Sequence, residues 1–292
     1  MLSLHTNVAS LSAQSALDNT SKNLSASLSR LSTGYRVNSA MDDAAGLQIA
    51  TRLDAQTRGM AVAQRNTQNG ISMMQTAEGA FGEVTSILQR MKDLATQAAD
   101  ATSTTKDQTA MQSEYDALGK EMGNIMKNTS FGGAQLFSTG STTDGSGGMF
   151  SNATMTFQIG ASAGETMVVD TSTQLTATAT ALGAAAGTYT TPGTAGTEMT
   201  TGNATITKLN SAIDAVGSMR SVLGASGNRL DHVYNNLANM SQNTAAAKGR
   251  IMDVNYATET ANMSSNQMLM QAGTSMIKQS NSMSQLALSL MQ

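Results

Sequence analysis

The sequence predicts a mainly α protein: a long antiparallel helical bundle or coiled coil formed by the N- and C-terminal segments, with a small central insert that bears a β-hairpin. Three observations predict it. Apolar residues recur at alternating steps of three and four towards both ends of the chain, the spacing of a coiled-coil seam. Between those ends, from Asn128 to Thr207, there is no Lys or Arg, and Thr, Gly, Ala and Ser dominate. The chain also holds 22 methionines, one proline, no tryptophan and no cysteine. That composition suits helices packed through long, adaptable side chains, and it permits neither a disulfide framework nor a thiolate metal site.

The elements follow in order. Near the N-terminus Leu17, Leu24 and Leu31 stand a heptad apart, with Leu28 filling a second seam position. At 100° per residue Leu4, Val8 and Leu11 fall on roughly the opposite side. Two readings stay open: a kink or drift in one long helix, or a segment that packs on its own C-terminal helix on one side and on neighbouring molecules on the other. Gly34 marks a helix stop and a change of direction. Ser39-Ala40-Met41-Asp42 has capping-box spacing, with Asp42 and Asp43 near the positive end of the following helix dipole. Ile71, Met74, Ala77, Phe81, Val84, Leu88, Met91, Ala95 and Ala98 then define a long amphipathic helix. A polar break at 101–105 turns the chain back into a second seam, Met111, Tyr115, Leu118, Met122 and Ile125.

Helical periodicity is absent from the Thr/Gly/Ala-rich stretch. Within it, Met155 to Gly160 and Glu165 to Asp170 alternate across Ala-Ser-Ala-Gly and read as a short hairpin, while 171–201 reads equally well as a flexible surface linker. A third seam runs Leu230, Val233, Leu237, Met240, Thr244, Ala247, Ile251 and Val254. The last is Leu269, Ala272, Met276, Gln279, Met283, Leu286 and Leu290, apolar except for Gln279. Burial of its six apolar side chains would stabilise by about 1.5–3 kcal/mol each, against a cost on the order of 1–2 kcal/mol for every ordered residue. A lone terminal helix is therefore marginal, and both ends need partners. The expected divisions are 1–40 pairing with 256–292, a helical domain from 41–137 and 206–255, and the insert 138–205.

Several functions are excluded. Seventeen Lys and Arg against 20 Asp and Glu, with no basic block, argue against nucleic acid. No run of about 18 apolar residues offers a membrane span, and the start has no ordinary secretory signal. Only His5 and His232 are present, without an HExxH arrangement. Asp42 and Asp43 point about 100° apart on a helix and do not converge on one bond. No GxSxG, P-loop or GxGxxG stands in a suitable context. No catalytic, cofactor-binding or metal-binding residue is expected.

The chain resembles bacterial flagellin in Arg30-Leu31-Ser32-Thr33-Gly34, in Asn38-Ser39-Ala40-Met41-Asp42-Asp43-Ala44-Ala45-Gly46-Leu47 and in Thr67-Gln68-Asn69-Gly70-Ile71-Ser72. Towards the other end the likeness continues through Leu223-Gly224-Ala225, Asn228-Arg229-Leu230, Arg250-Ile251-Met252-Asp253, Tyr256-Ala257-Thr258-Glu259 and Gln271-Ala272. It covers about 1–137 and 206–292. The stretches around Gln56 to Met60, Ser72 to Glu78 and Asn266 to Met270 are most similar to lateral flagellins, which drive swarming.

The resemblance implies a structural subunit of a hollow extracellular filament used for swimming or swarming, not an enzyme. Its terminal helices would line the inner tube, disordered in the free monomer and ordered on assembly, and the insert would face outward. The implied self-assembly seam comprises Leu4, Val8, Leu11, Leu17, Leu24, Leu28, Leu31, Leu269, Met276, Met283, Leu286 and Leu290. Implied partners are further copies of the chain, a flagellar export apparatus and flagellin chaperone, the filament cap and hook-associated proteins, and a host Toll-like receptor. Arg90, Leu94, Gln97 and Glu114 stand at the positions matching the receptor contact. Two departures from the family pattern bear on packing at the inner tube: no proline lies in the last ten residues, and the usual terminal double leucine is Leu290-Met291. A hook-filament junction protein, and a translocator that inserts into host membranes, are the alternatives.

Overall fold

The boundaries of the first helices trace to polar side chains and a glycine. In the computed structural model, which describes residues 7–138, 145–151, 154–190 and 196–289 (283–289 by backbone alone), α1 (Val8–Thr33) begins where the Asn7 side chain accepts the Ser10 N–H at 3.1 Å. It ends at Gly34, whose φ of 76° is the left-handed conformation that glycine adopts without Cβ strain, and whose N–H reaches the Arg30 carbonyl at 2.9 Å. α2 (Ala44–Ala98) starts after Asp43, which accepts the Gly46 N–H at 2.8 Å. The cap is thus Asp43 rather than Ser39. Asp42 instead turns back to accept the N–H groups of Ser39 (2.9 Å) and Asn38 (3.0 Å). Those backbone donors, Ser39 first, hold its carboxyl below the usual range.

The chain divides into two compact units, Met1–Thr57 with Gln242–Gln292, and Arg58–Ser241. In the first, α1 packs antiparallel on α7 (Tyr256–Ser289). Their adjoining turns are tied by three bonds: Val254 N–H to the Gly34 carbonyl (3.0 Å), Arg36 N–H to the Met252 carbonyl (2.6 Å) and the Arg36 guanidinium to the Ile251 carbonyl (2.8 Å). Lys248 and Asp54 form an ion pair on the same unit.

The second unit holds nearly all of the buried hydrophobic core. α2 supplies Met74, Ala77, Phe81, Val84, Leu88, Met91 and Ala95, at the spacing that the sequence predicts. α3 (Thr105–Asn128) opens with a complete capping box between Thr104 and Asp107 and buries Met111, Tyr115 and Met122. α6 (Gly202–Met252) adds Leu209, Ala212, Val216, Met219, Leu223 and Leu230, and its Arg220 pairs with Glu78 of α2 at 2.6 Å. Two small antiparallel sheets complete the unit. β1 (Ser130–Phe131) pairs with β2 (Ala134–Gln135), and β3 (Met155–Gln158) pairs with β4 (Thr166–Val169) in the register Met155↔Val169 and Phe157↔Met167. Phe81, Phe137 and Phe150 pack in series, the first pair tilted and the second stacked, with ring centroids 4.6 and 6.0 Å apart.

One expectation needs correction. The stretch after Asp170 is not simply linker: α4 (Ser172–Ala185) buries Leu175, Thr178, Ala179, Leu182 and Ala185, and α5 (Gly187–Thr190) buries Thr188 and Tyr189. Helical periodicity is present there, written in small residues whose apolar contrast is weak. A polar clasp follows. Gln112 donates to Asp116 and Glu198 (2.8 Å each) and accepts the Met199 N–H (2.9 Å), so the chain entering α6 is bound to α3.

The Tyr115 hydroxyl donates to the Ala185 carbonyl at 2.6 Å inside this core. Burial first, then the nearby carboxylates of Glu198 and Asp116, push its phenol well above the ordinary value. Because the folded-state value is raised, the stability this group contributes is complete below about pH 10 and is lost as pH rises through the folded-state value. Tyr115→Phe should lower unfolding free energy by about 1–3 kcal/mol at neutral pH, since it strands the Ala185 carbonyl, and should show a smaller alkaline loss. Urea unfolding at pH 7 and pH 10.5 checks both; equal midpoints for the two proteins at both values would contradict the assignment.

Candidate assembly interface

The paired helices α1 and α7 meet along one row each and carry further apolar side chains off that row. Facing the partner helix, α1 turns inward Ser10, Ala13, Leu17, Thr20, Leu24, Ser27 and Leu31, all half-buried or buried, at steps of three and four. α7 answers with Glu259, Met263, Asn266, Met270, Gly273, Ile277 and Ser280. Large residues meet small ones along this row. A Cβ placed on Gly273 would come within 3.1 Å of the Leu17 Cδ1, so the absence of a side chain there lets the leucine seat against the α7 backbone.

Polar contacts hold the two ends of the row. At one end Asn7 donates to the Ser280 hydroxyl (3.1 Å) and Ser10 to Asn281 (3.2 Å). At the other, Arg30 in the last turn of α1 stands 3.8 Å from Glu259 in the first turn of α7. Each charge also sits at the helix end whose dipole favours it. Glu259 is buried, so Arg30 offsets part of the cost of removing a carboxylate from water.

The second rows point to solvent. On α1, Val8, Leu11 and Leu28 are 70%, 63% and 49% exposed; on α7, Met268, Leu269 and Met276 are 65%, 55% and 67% exposed. The residues that the sequence suggests as one seam therefore separate into two sets. Leu17, Leu24 and Leu31 lie between α1 and α7, whereas Val8, Leu11, Leu28, Leu269 and Met276 lie outside. Leu28 is displaced from the leucine row it was grouped with because it occupies a flanking position of the heptad. Leu4 and Leu290 lie outside the described residues, and of Met283 and Leu286 only the helical backbone is described. The inward residues of α7, Met263, Met270 and Ile277, are absent from the seam read in the sequence. They carry the same 3.5-residue spacing one position along, and spacing alone cannot say which of two adjacent rows meets α1.

Of the four residues at receptor-matching positions, Arg90 and Glu114 form an exposed ion pair at 2.7 Å. Gln97 is exposed as well. Leu94 is 3% exposed and belongs to the core beneath them. Among the described residues no group of three or more His, Cys, Asp or Glu is placed to hold a metal ion, and no helix is long and apolar enough to cross a membrane.

Comparison with known proteins gives consistent matches along the chain. The bacterial flagellin N-terminal helical region matches residues 4–142, and the bacterial flagellin C-terminal helical region matches residues 206–291. Flagellin A of Vibrio anguillarum is 33% identical over an alignment of 388 residues that covers 100% of both chains, so the relative carries residues this shorter chain lacks. A flagellin of Halalkalibacterium halodurans is 39% identical over 265 residues, 90% of each chain. Among solved structures, a protein described as a flagellar hook-associated protein from Vibrio parahaemolyticus shares the fold, with a TM-score of 0.57 at 16% identity, covering 73% of this chain and 100% of that one.

The two rows make different predictions for cross-linking, which a chain without cysteine allows cleanly. The variant Leu17→Cys with Gly273→Cys should close an intrachain disulfide on mild oxidation. The variant Leu17→Cys with Met276→Cys should not, and in concentrated or assembled protein Met276→Cys should link separate chains. Non-reducing electrophoresis separates the outcomes; efficient intrachain closure by the Met276→Cys pair would show that the rows are misassigned.

Proposed function

We infer, from a chain that belongs to the bacterial flagellin family and is a structural, non-enzymatic subunit of the extracellular flagellar filament, that the outward rows of α1 and α7 are the surface through which copies pack around the filament's inner tube. The observation that carries this is the division of labour between rows. Each helix has one row already covered by its partner and also carries apolar side chains left in water, Val8, Leu11 and Leu28 on α1 and Met268, Leu269 and Met276 on α7, and exposed apolar surface on a helix pair marks an interaction site. A second copy of the chain supplies the same rows and so the complementary surface. Polymerisation of this kind, together with hook-associated proteins, is what the family does.

The finer assignment follows the same logic. Residues 1–40 and 256–292 form the inner tube, 41–137 and 206–255 the surrounding tube, and 138–205 the outward insert. The terminal helices order as each subunit adds, because an isolated helix pair with one uncovered row each is marginal in water. The chain travels through a flagellar export apparatus with a flagellin chaperone, and it serves a lateral, swarming type of filament, a reading supported by the stretches around Met60, Met74 and Met268. A host Toll-like receptor contacts the surface around Arg90, Gln97 and Glu114 on the free monomer. The buried Leu94 supports that surface from below.

Seeded elongation, followed by electron microscopy, tests the assembly reading. Short filament fragments should extend into long filaments with the full chain and not with a version truncated after Thr274, which loses the last part of the outward row. Elongation by the truncated chain would remove the row from the mechanism, and a full chain that stays monomeric on good seeds would favour a hook-filament junction protein instead. For the receptor, Arg90→Ala should reduce activation by monomer, and intact filament should activate poorly; unchanged activation by the Arg90→Ala monomer would remove the contact.

A further inference from the structure

We propose that the groove between α2 and α6 of the second unit receives the ridge formed by Arg58, Val62 and Arg65 on a second copy of the chain. The proposal rests on the filament reading but not on the terminal helices. It uses only the second unit, whose main core runs from Met73 to Leu230 and takes no residue from α1 or α7. The groove holds about 340 Å³. Its floor is apolar, with Met74 and Leu223 buried and Ile71 half-buried. The carboxylates of Glu78 and Asp231 stand nearer the solvent, and Gly224 and Gly227 of α6 complete the lining. A Cβ on either glycine would meet no atom within 4 Å. Glycine inside a helix weakens it relative to alanine, and nothing in the subunit's own packing calls for one at these two places. A neighbour that approaches the α6 backbone closely does.

The ridge matches the groove in charge and in length. Arg58, Val62 and Arg65 lie on one face of α2 at steps of four and three, and Val62 is 46% exposed between the two exposed arginines. The arginines are seven residues apart, about 10 Å along the helix. In the groove, Glu78 pairs with Arg220, while a Cβ on Gly70 would lie 3.2 Å from the Leu230 Cδ1. Those two contacts put Asp231 beside Gly70, eight residues or about 12 Å from Glu78. A valine seated on the apolar floor therefore carries one arginine towards each carboxylate, with the arginine stems lying over apolar surface. Arg220 already offsets Glu78, so Asp231, which accepts only the Asn235 amide at 3.3 Å, is the stronger anchor. At 100° per residue the ridge and the α2 side of the groove point roughly 150° apart. A chain cannot fill its own groove, and two chains cannot fill each other's at once. Each copy enters one neighbour and receives another, the head-to-tail contact that continues into an open filament.

The test measures seeded elongation of full-length variants on fragments grown from the same variant, beside the thermal midpoint of each monomer by circular dichroism. Gly227→Leu fills the groove from within and replaces a helical glycine by a good helix former. Its monomer should melt at the same temperature or a few degrees higher, and its elongation should fall at least tenfold. Asp231→Arg should slow elongation to a similar degree at an unchanged midpoint. Combining Asp231→Arg with Arg58→Asp, or with Arg65→Asp, exchanges the charges across the contact, and one of the two combinations should recover elongation to within about threefold of the unaltered chain. That recovery is the mark of a contact between copies, since ridge and groove do not meet within one chain. Normal elongation by Gly227→Leu would overturn the proposal, as would recovery by neither combination. A clearly lowered midpoint for the Gly227→Leu monomer would also overturn it, because the groove would then belong to the subunit's own packing. Failure of the unaltered chain to extend seeds would overturn the filament reading itself.

Discussion

The antiparallel contact between α1 and α7 covers only one side of each helix, and much of the molecule's behaviour depends on that shortfall. A helix pair can bury one row from each member. Both α1 and α7 also carry Val, Leu or Met side chains off that row, so the pair covers the first set and leaves the second in water. Nothing within the described first unit can supply more cover: its fully buried hydrophobic residues are Val37 and Ala50, near the turn and the start of α2, not along the pair. The folded state of this unit is thus incomplete as a matter of surface area, and association is the physical remedy.

The second unit is built on the opposite economy. α2, α3, α4 and α6 close around a continuous core of Met, Leu, Phe and Tyr side chains, and polar groups near it are tied to one another, as Gln112 is to Asp116, Glu198 and the Met199 amide. Even the small-residue stretch after Asp170 is drawn into this core through Leu175 and Leu182. A rigid, self-sufficient body and an unsaturated pair of terminal helices are useful together in a polymerising subunit. The first gives each copy a fixed form before assembly, and the second gives it a reason to add.

The long helices were legible because strong apolar residues repeat at helical spacing: Phe81, Val84, Leu88 and Met91 could hardly read otherwise, and the Met155 and Val169 strands alternate as a hairpin should. The cap at Gly34 was also readable, since glycine after a leucine-rich run has a specific backbone use. Three features were not. α4 is written in Ala and Thr, whose hydrophobic contrast is too low for periodicity to stand out, so its burial depends on tertiary neighbours. The start of α2 turned on which of Ser39, Asp42 and Asp43 would point at the helix N–H groups, a choice made by turn geometry. The inner face of α7 was hidden because Met263, Met270 and Ile277 run beside Leu269 and Met276 with the same spacing, interrupted by Asn266 and Gly273, and only the partner helix distinguishes the two rows. Leu94 raised the reverse problem: it shares a helix face with Arg90 and Gln97 by angle, yet the helix sits deep enough for the leucine to be swallowed by the core.

The polar contacts at the two ends of the α1–α7 row have a role that their strength alone would not suggest. A row that repeats every seven residues is ambiguous under translation: slide one helix by a heptad, about 10 Å, and leucines and small residues again face each other. Apolar packing by itself therefore offers a ladder of near-degenerate alignments. Asn7 against Ser280 and Arg30 against Glu259 occur once each, at opposite ends, and only one rung of the ladder satisfies both. They act as the two marks of a vernier, converting a periodic attraction into a single length, and so fix where every outward residue stands when the next copy arrives.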